Sequence, residues 1–301
     1  MLPQTEGLRG PGVRSWSEVS DMARLAENVG FDSLWVCDHF YGPQSPQLPI
    51  LEAWSMVSAV AAITERVEIG TLVTPVGMRN PAHLGKTIAS IDNIAGGRII
   101  AGLGAGWMPR EFTDFNVPFL STGERLKQLA ETVDLLQRMW GDEEEVSYDG
   151  QFVKADHVVC QPKPPRKIPI LIGGAGEKVT LKLSAKEADI WNNLAGFQPQ
   201  LEHKVDVLKR HCDDVGRDFS EITVSQQCLV TITSNAEEAE ALSAEDMTIV
   251  MNAAGYVPSG EWGSMHPHEA NQGFMWEFRD AEEVASGEWG SMHPDEANQD
   301  Y

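Results

Sequence analysis

An imidazole next to a carboxylate can hold or move a proton near neutral pH, and the chain carries that pair at Asp38-His39. The pair ends a short apolar run, residues 31–37, so His39 is the candidate catalytic residue and Asp38 the carboxylate that would orient it. A structural histidine bonded to a neighbouring carbonyl is the other reading. Three more stretches stand in equivalent places, each after an apolar run. Val73-Thr74-Pro75-Val76-Gly77, followed by Arg79-Asn80-Pro81, reads either as a distorted strand end that supports a flat ring or as an ordinary turn. Gly102-Leu103-Gly104-Ala105-Gly106-Trp107 would match GxGxxG only with glycine where Trp107 stands, so the dinucleotide fingerprint fails. Gly104 and Gly106 still allow a ligand close to the backbone. Trp107 is a candidate wall for a ring or a substrate, or else a packed aromatic. Gly173-Gly174-Ala175-Gly176 precedes a helical pattern, where exposed N–H groups suit a phosphate. A plain strand-to-helix turn has the same composition.

The elements that must position these residues alternate in type. Helical spacing covers residues 19–29, 51–63, 81–94, 126–140, 178–186 and 200–215. Strand patterns cover residues 31–37, 67–73, 98–103, 168–172, 188–191 and 222–231. A hairpin-like insertion is expected over residues 146–160, around Asp149-Gly150. Such alternation predicts a parallel sheet, and its number of units favours a closed barrel over a doubly wound sheet. Each candidate stretch would then lie at the carboxyl end of a strand, where a barrel builds one site.

Composition narrows the partners. The 301 residues carry a formal net charge of -22, which repels nucleic acid and anionic membranes. Cys37, Cys160, Cys212 and Cys228 form no CxxC pair, so no zinc knuckle is expected and a reducing, cytoplasmic setting is. The opening residues lack the pattern of a signal peptide, and no apolar run reaches the roughly 20 residues of a membrane span. Near the end, residues 259–272 (SGEWGSMHPHEANQ) recur at 286–299 (SGEWGSMHPDEANQ) with one difference, His268 against Asp295. Two copies are too few for a repeat fold, and a recent tandem duplication or a frameshifted, poorly selected end is the expected origin. His266, His268 and Glu269 are weighed as metal ligands, and no metal site is expected. The chain thus divides into a barrel domain over residues 1–242 and an atypical tail over 243–301.

Three longer stretches carry a resemblance. They are residues 64–82 (TxRVxxGTLVTPV, then RNPA), 96–112 (GGRxxxGLGAGW, then EF) and 169–192 (PILIGGAGEKxTLKL, then ADxWN). With Leu2-Pro3-Gln4 and Cys37-Asp38-His39, they make residues 2–240 similar to the luciferase-like monooxygenase superfamily, nearest its coenzyme F420-dependent oxidoreductase branch. The resemblance implies an α/β fold, a (β/α)8 TIM-type barrel of the bacterial-luciferase-like kind. Met1 leaves almost no room for the family's first strand, and the eighth is not found after about residue 240, so incompleteness at both is expected. It also implies hydride transfer to or from a small organic substrate with F420. The alternatives are an FMN-dependent monooxygenase and a truncated, non-catalytic barrel. By the resemblance, Asp38 and His39 lie beside the reactive ring. Val73 and Thr74 form a bulged strand, often with a non-prolyl cis peptide, that presses on the ring. Gly173, Gly174, Ala175 and Gly176 anchor phosphate, with Gly104, Gly106 and Trp107 close to the coenzyme. Trp107 and Glu111 border the substrate pocket. Homodimerisation is left open.

Overall fold

The computed structural model describes residues 1–2, 15–42 and 49–228, and the backbone of residues 256–257 and 277–278. A curled parallel sheet is wrapped by helices. Its strands are β1 (Ser33–Val36), β2 (Glu68–Thr71), β3 (Thr74–Pro75) and β4 (Ile99–Gly104). After a hairpin of β5 (Val146–Asp149) and β6 (Lys154–Val158) come β7 (Ile170–Gly173), β8 (Ile190–Asn193) and β9 (Thr223–Gln226). The sheet order is β1-β2-β4-β7-β8-β9, with β3 also beside β4, and every pairing in it is parallel. Each strand therefore lies next to its predecessor in the chain. A doubly wound sheet must reverse its strand order, and this one does not. That is the winding of a barrel.

The helices follow from local chemistry. In α1 (Trp16–Asn28) and α5 (Thr122–Trp140) a capping box opens the first turn, Ser15 with Glu18 and Ser121 with Glu124. In α3 (Pro81–Ile94), Asn80 accepts from the His83 N–H, and proline occupies the first turn, where its missing donor costs nothing. With α2 (Ala53–Ala61), these helices bury apolar faces against the sheet. Ile69, Ile99, Ala101, Leu103, Ile170 and Ile172 form the interior, as expected of strands covered on both faces. A second cluster, with Trp191 at its centre, packs α6 (Thr180–Glu187) and α7 (Leu201–Val215).

Several expectations need correction. Residues 109–114, outside every element expected from the sequence, form a short helix, α4 (Pro109–Asp114). The turn at Gly173-Gly174-Ala175-Gly176 does not open a helix directly, because α6 starts only at Thr180. The strand expected over 67–73 stops at Thr71 and resumes as β3. Gly70 pairs with Ile100, but Thr74 pairs with Leu103, so one strand has an extra residue between these pairs. The Leu72–Val73 peptide in that stretch is cis.

Among the described residues, the parallel sheet ends at β1 and β9. Leu2 prolongs the β1 edge by donating its N–H to the Trp35 carbonyl at 2.8 Å. The repeated segments and the residue 242/243 boundary lie outside the described residues; near the repeats, Tyr256–Val257 pairs antiparallel with Glu277–Phe278. Among the described residues, no helix is long and apolar enough to cross a membrane, and no cluster of His, Cys, Asp and Glu could hold a metal.

Candidate active site at the carboxyl ends of the strands

His39 lies just beyond β1, and the carboxylate that holds it comes from α4. Glu111 is 1% exposed, and its two oxygens lie 3.1 and 3.0 Å from His39 Nδ1. It also accepts from the Phe40 N–H at 2.7 Å and the Tyr41 N–H at 3.3 Å. A carboxylate only accepts, so Nδ1 carries the hydrogen and Nε2 is left as the acceptor of the ring. Trp107 meets the imidazole edge-on, with centroids 5.3 Å apart and planes at 72°. Sequence neighbours thus did not indicate the orienting group. Asp38 was the expected partner and Glu111 was expected as pocket lining. The structure places Glu111 beneath His39 and turns Asp38 away from it.

Asp38 belongs to a buried network under the site. It is 2% exposed and takes a bidentate bond from Arg79, at 2.7 and 2.9 Å. Thr74, fully buried, donates its hydroxyl to Asp38 at 2.8 Å and accepts from Trp54 Nε1 at 3.0 Å. Arg79 reaches Glu52 at 2.6 Å and lies 5.4 Å from the centroid of the Phe40 ring. Burial has the largest effect on Asp38 and pushes its carboxyl up, against the pull of Arg79 and Thr74. Burial alone would lower the Arg79 guanidinium, yet Asp38 and Glu52 hold it above its usual range. Asp38 and Thr74 thus have their polar atoms engaged with Arg79, Trp54 and each other. Glu52 and Trp54 were not expected at this site, and Arg79 entered only as part of the stretch that follows Val73. Only the polarity of residues 79 and 52 beside apolar helices could have hinted at them.

Val73 occupies the middle of the strand ends. A Cβ built on Gly104 would fall 2.5 Å from Val73 Cγ2, and one on Gly173 would fall 2.9 Å from Val73 Cγ1. These glycines make room for Val73, which is half-buried. Gly106 adopts φ 81° and packs under the Phe112 ring, with its carbonyl accepting from Arg125 at 3.2 Å. In the glycine turn, Gly174 has φ 137° and donates its N–H to the Asn192 carbonyl at 3.2 Å. Ala175 is buried, and the Gly176 carbonyl accepts from the Leu181 N–H at 2.9 Å.

The turn continues into Glu177, which α7 clamps. Lys204 donates to the Glu177 carboxylate at 2.7 Å, His203 lies 3.1 Å from it, and His211 lies 2.8 Å from the Glu177 carbonyl. At the end of β8, Asn192 donates to Ser225 at 3.0 Å and Asn193 to Gln226 at 2.7 Å. The side-chain oxygens of both asparagines are buried without a hydrogen-bond partner. Sequence reading also passed over this pair. Two polar residues ending an apolar strand were the available signal.

Comparison with known proteins agrees with this architecture. A family model described as luciferase-like monooxygenase matches residues 1–294. An uncharacterized protein of Mycobacterium tuberculosis is 34% identical over 186 residues, covering 56% of this chain and 64% of the relative. An F420-dependent glucose-6-phosphate dehydrogenase of Nakamurella multipartita is 28% identical over 228 residues, covering 74% of this chain and 66% of the relative. The chain thus spans somewhat less than two thirds of the length of these curated relatives. Among solved structures, an F420-dependent secondary alcohol dehydrogenase bound to an F420–acetone adduct superposes with a TM-score of 0.72. It is 21% identical, and the match covers 95% of this chain and 80% of that one.

Proposed function

Because this chain belongs to the luciferase-like monooxygenase family, we propose that it is an oxidoreductase that binds a flavin-type coenzyme, the deazaflavin F420, over its strand ends. The observation that carries this reading is the His39–Glu111 pair, which stands, like the Val73 bulge, after the carboxyl end of a strand of the parallel sheet. The residues fit such a group. A flat ring needs an apolar shelf, and Val73 provides one, seated between Gly104 and Gly173. A phosphate needs close backbone approach, and Gly174 to Gly176 lie at the edge of that shelf. The coenzyme, when bound, supplies the two-electron chemistry by giving or accepting hydride.

The chain's own residues bind, orient and handle the proton. His39 Nε2 takes the proton released when a substrate alcohol is oxidised, or returns it in the opposite direction. Glu111 fixes the ring orientation and balances the charge of the imidazolium. Trp107 limits where a substrate can lie relative to that nitrogen. The substrate is a small organic molecule. FMN is the second reading, supported by the monooxygenase description of the matching family.

Equilibrium titration of the purified chain with each coenzyme separates the two. Saturable binding of F420, tighter than that of FMN, is the expected result. Tight FMN binding, with oxygen consumed once the flavin is reduced, would move the chain to the monooxygenase reading.

A further inference from the structure

Two groups of aromatic rings wall the region around His39. Trp107 touches the imidazole and is 39% exposed. Phe40 stacks on Phe115 with centroids 4.5 Å apart and planes at 28°, and Phe115 in turn meets Tyr41 at 6.0 Å. Phe115, at the end of α4, is 51% exposed. Single exposed apolar residues are ordinary. Here Trp107 touches the imidazole directly, and Phe115 stacks on Phe40, the residue next to His39 in the chain and bonded through its N–H to Glu111.

Among the described residues, Arg79, Arg110 and Arg125 near these rings are already committed. Arg79 is held by Asp38 and Glu52. Arg110 pairs with Asp114 at 3.1 Å and lies 5.7 Å from the Tyr41 ring centroid, while Tyr41 donates its hydroxyl to the same carboxylate. Arg125 donates to the carbonyls of Gly106 and Leu120 and lies 4.0 Å from the Phe119 ring centroid. An anionic substrate would have to break one of these pairings and would also meet Glu111 and Asp114. A flat neutral molecule meets ring faces and edges, which attract it through both apolar burial and ring stacking.

Resting on the oxidoreductase reading of the same site, we propose that this wall makes the substrate slot selective for neutral aromatic molecules, with Phe115 and Trp107 setting the specificity. Sugar phosphates are excluded, which separates this chain from the activity named for its glucose-6-phosphate dehydrogenase relative.

Binding of three probes to the full chain in the presence of oxidised F420 tests the proposal. The probes are 2-acetylnaphthalene, acetone and glucose 6-phosphate, each titrated by calorimetry or ligand-observed NMR. The naphthyl ketone is expected to bind at least about tenfold tighter than acetone, with no saturable binding of glucose 6-phosphate. Phe115→Ala should weaken the naphthyl ketone by about 5- to 10-fold and leave acetone and F420 nearly unchanged. Trp107→Ala, on a side chain that is already partly exposed, gives an independent variant if the first is poorly folded. Saturable binding of glucose 6-phosphate at comparable affinity, or an unchanged naphthyl-to-acetone ratio in both variants, would overturn the proposal while F420 still binds. A native chain that fails to bind F420 removes the premise itself, which is a different result from either.

Discussion

Replacing Arg79 with methionine is expected to lower the midpoint of thermal unfolding by on the order of 10 °C. The side chain joins Asp38, Glu52 and the Phe40 ring, and Asp38 is almost wholly buried. Methionine keeps much of the volume but leaves the Asp38 carboxylate without its cation. Removing one partner of a buried pair costs about 3–5 kcal/mol, because the charge left behind stays desolvated. In a domain of this size each kcal/mol moves the midpoint by roughly 2–4 °C. Thr74 still donates to Asp38, which limits the loss. The double variant Asp38→Asn with Arg79→Met should lose less than the sum of the two single variants, since the unpaired charge is gone. Calorimetry on the four proteins decides the matter. A midpoint within about 2 °C of the native value for Arg79→Met would show that the network does not hold the strand ends.

Replacing His39 with alanine is expected to slow turnover by about 10²-fold or more while coenzyme affinity changes little. The imidazole supplies the one proton acceptor, Nε2, that the Glu111 contact leaves open. Its removal takes away proton transfer without touching Val73 or the glycine turn, which belong to other strands. Glu111→Gln tests the other half of the pair. The amide oxygen still accepts from the Phe40 N–H, but it no longer balances a charged imidazole. Turnover should fall, because the charge formed on His39 when it takes the proton is then left unbalanced. An unchanged turnover in Glu111→Gln would reduce Glu111 to a support of the loop. An unchanged rate in His39→Ala would take the imidazole out of the reaction.

These expectations draw on parts of the molecule that were unequally legible in the sequence. The helix over residues 81–94 announces itself with Asn80-Pro81 at one end and Gly96-Gly97 at the other, and the structure places it at Pro81–Ile94. The hairpin around Asp149-Gly150 and the alternation of strands and helices were readable for the same reason, because their signals are local. The site is assembled from pairings that are not. Glu111 stands 72 residues from His39, and Arg79 stands 41 from Asp38. No periodicity reports such contacts, so the carboxylate next in sequence was taken for the one next in space. The six residues of α4 are too few to show a helical period, although that helix supplies Glu111. Gly104 and Gly173 illustrate a further limit. A glycine shows that a side chain is absent, but not what uses the space, and here much of it is used by Val73. The resemblance carried the bulge at Val73 and Thr74 where composition alone left an even choice with a turn.

The central claim is that the strand ends bearing His39, Val73 and the glycine turn are where this chain binds its coenzyme. A crystal structure of the full chain grown with oxidised F420 tests that claim most directly. The account expects the ring system on the Val73 shelf, within reach of the His39 imidazole, and the phosphate against Gly174 to Gly176. Density for the coenzyme elsewhere on the protein, or a ring held away from both Val73 and His39, would contradict it.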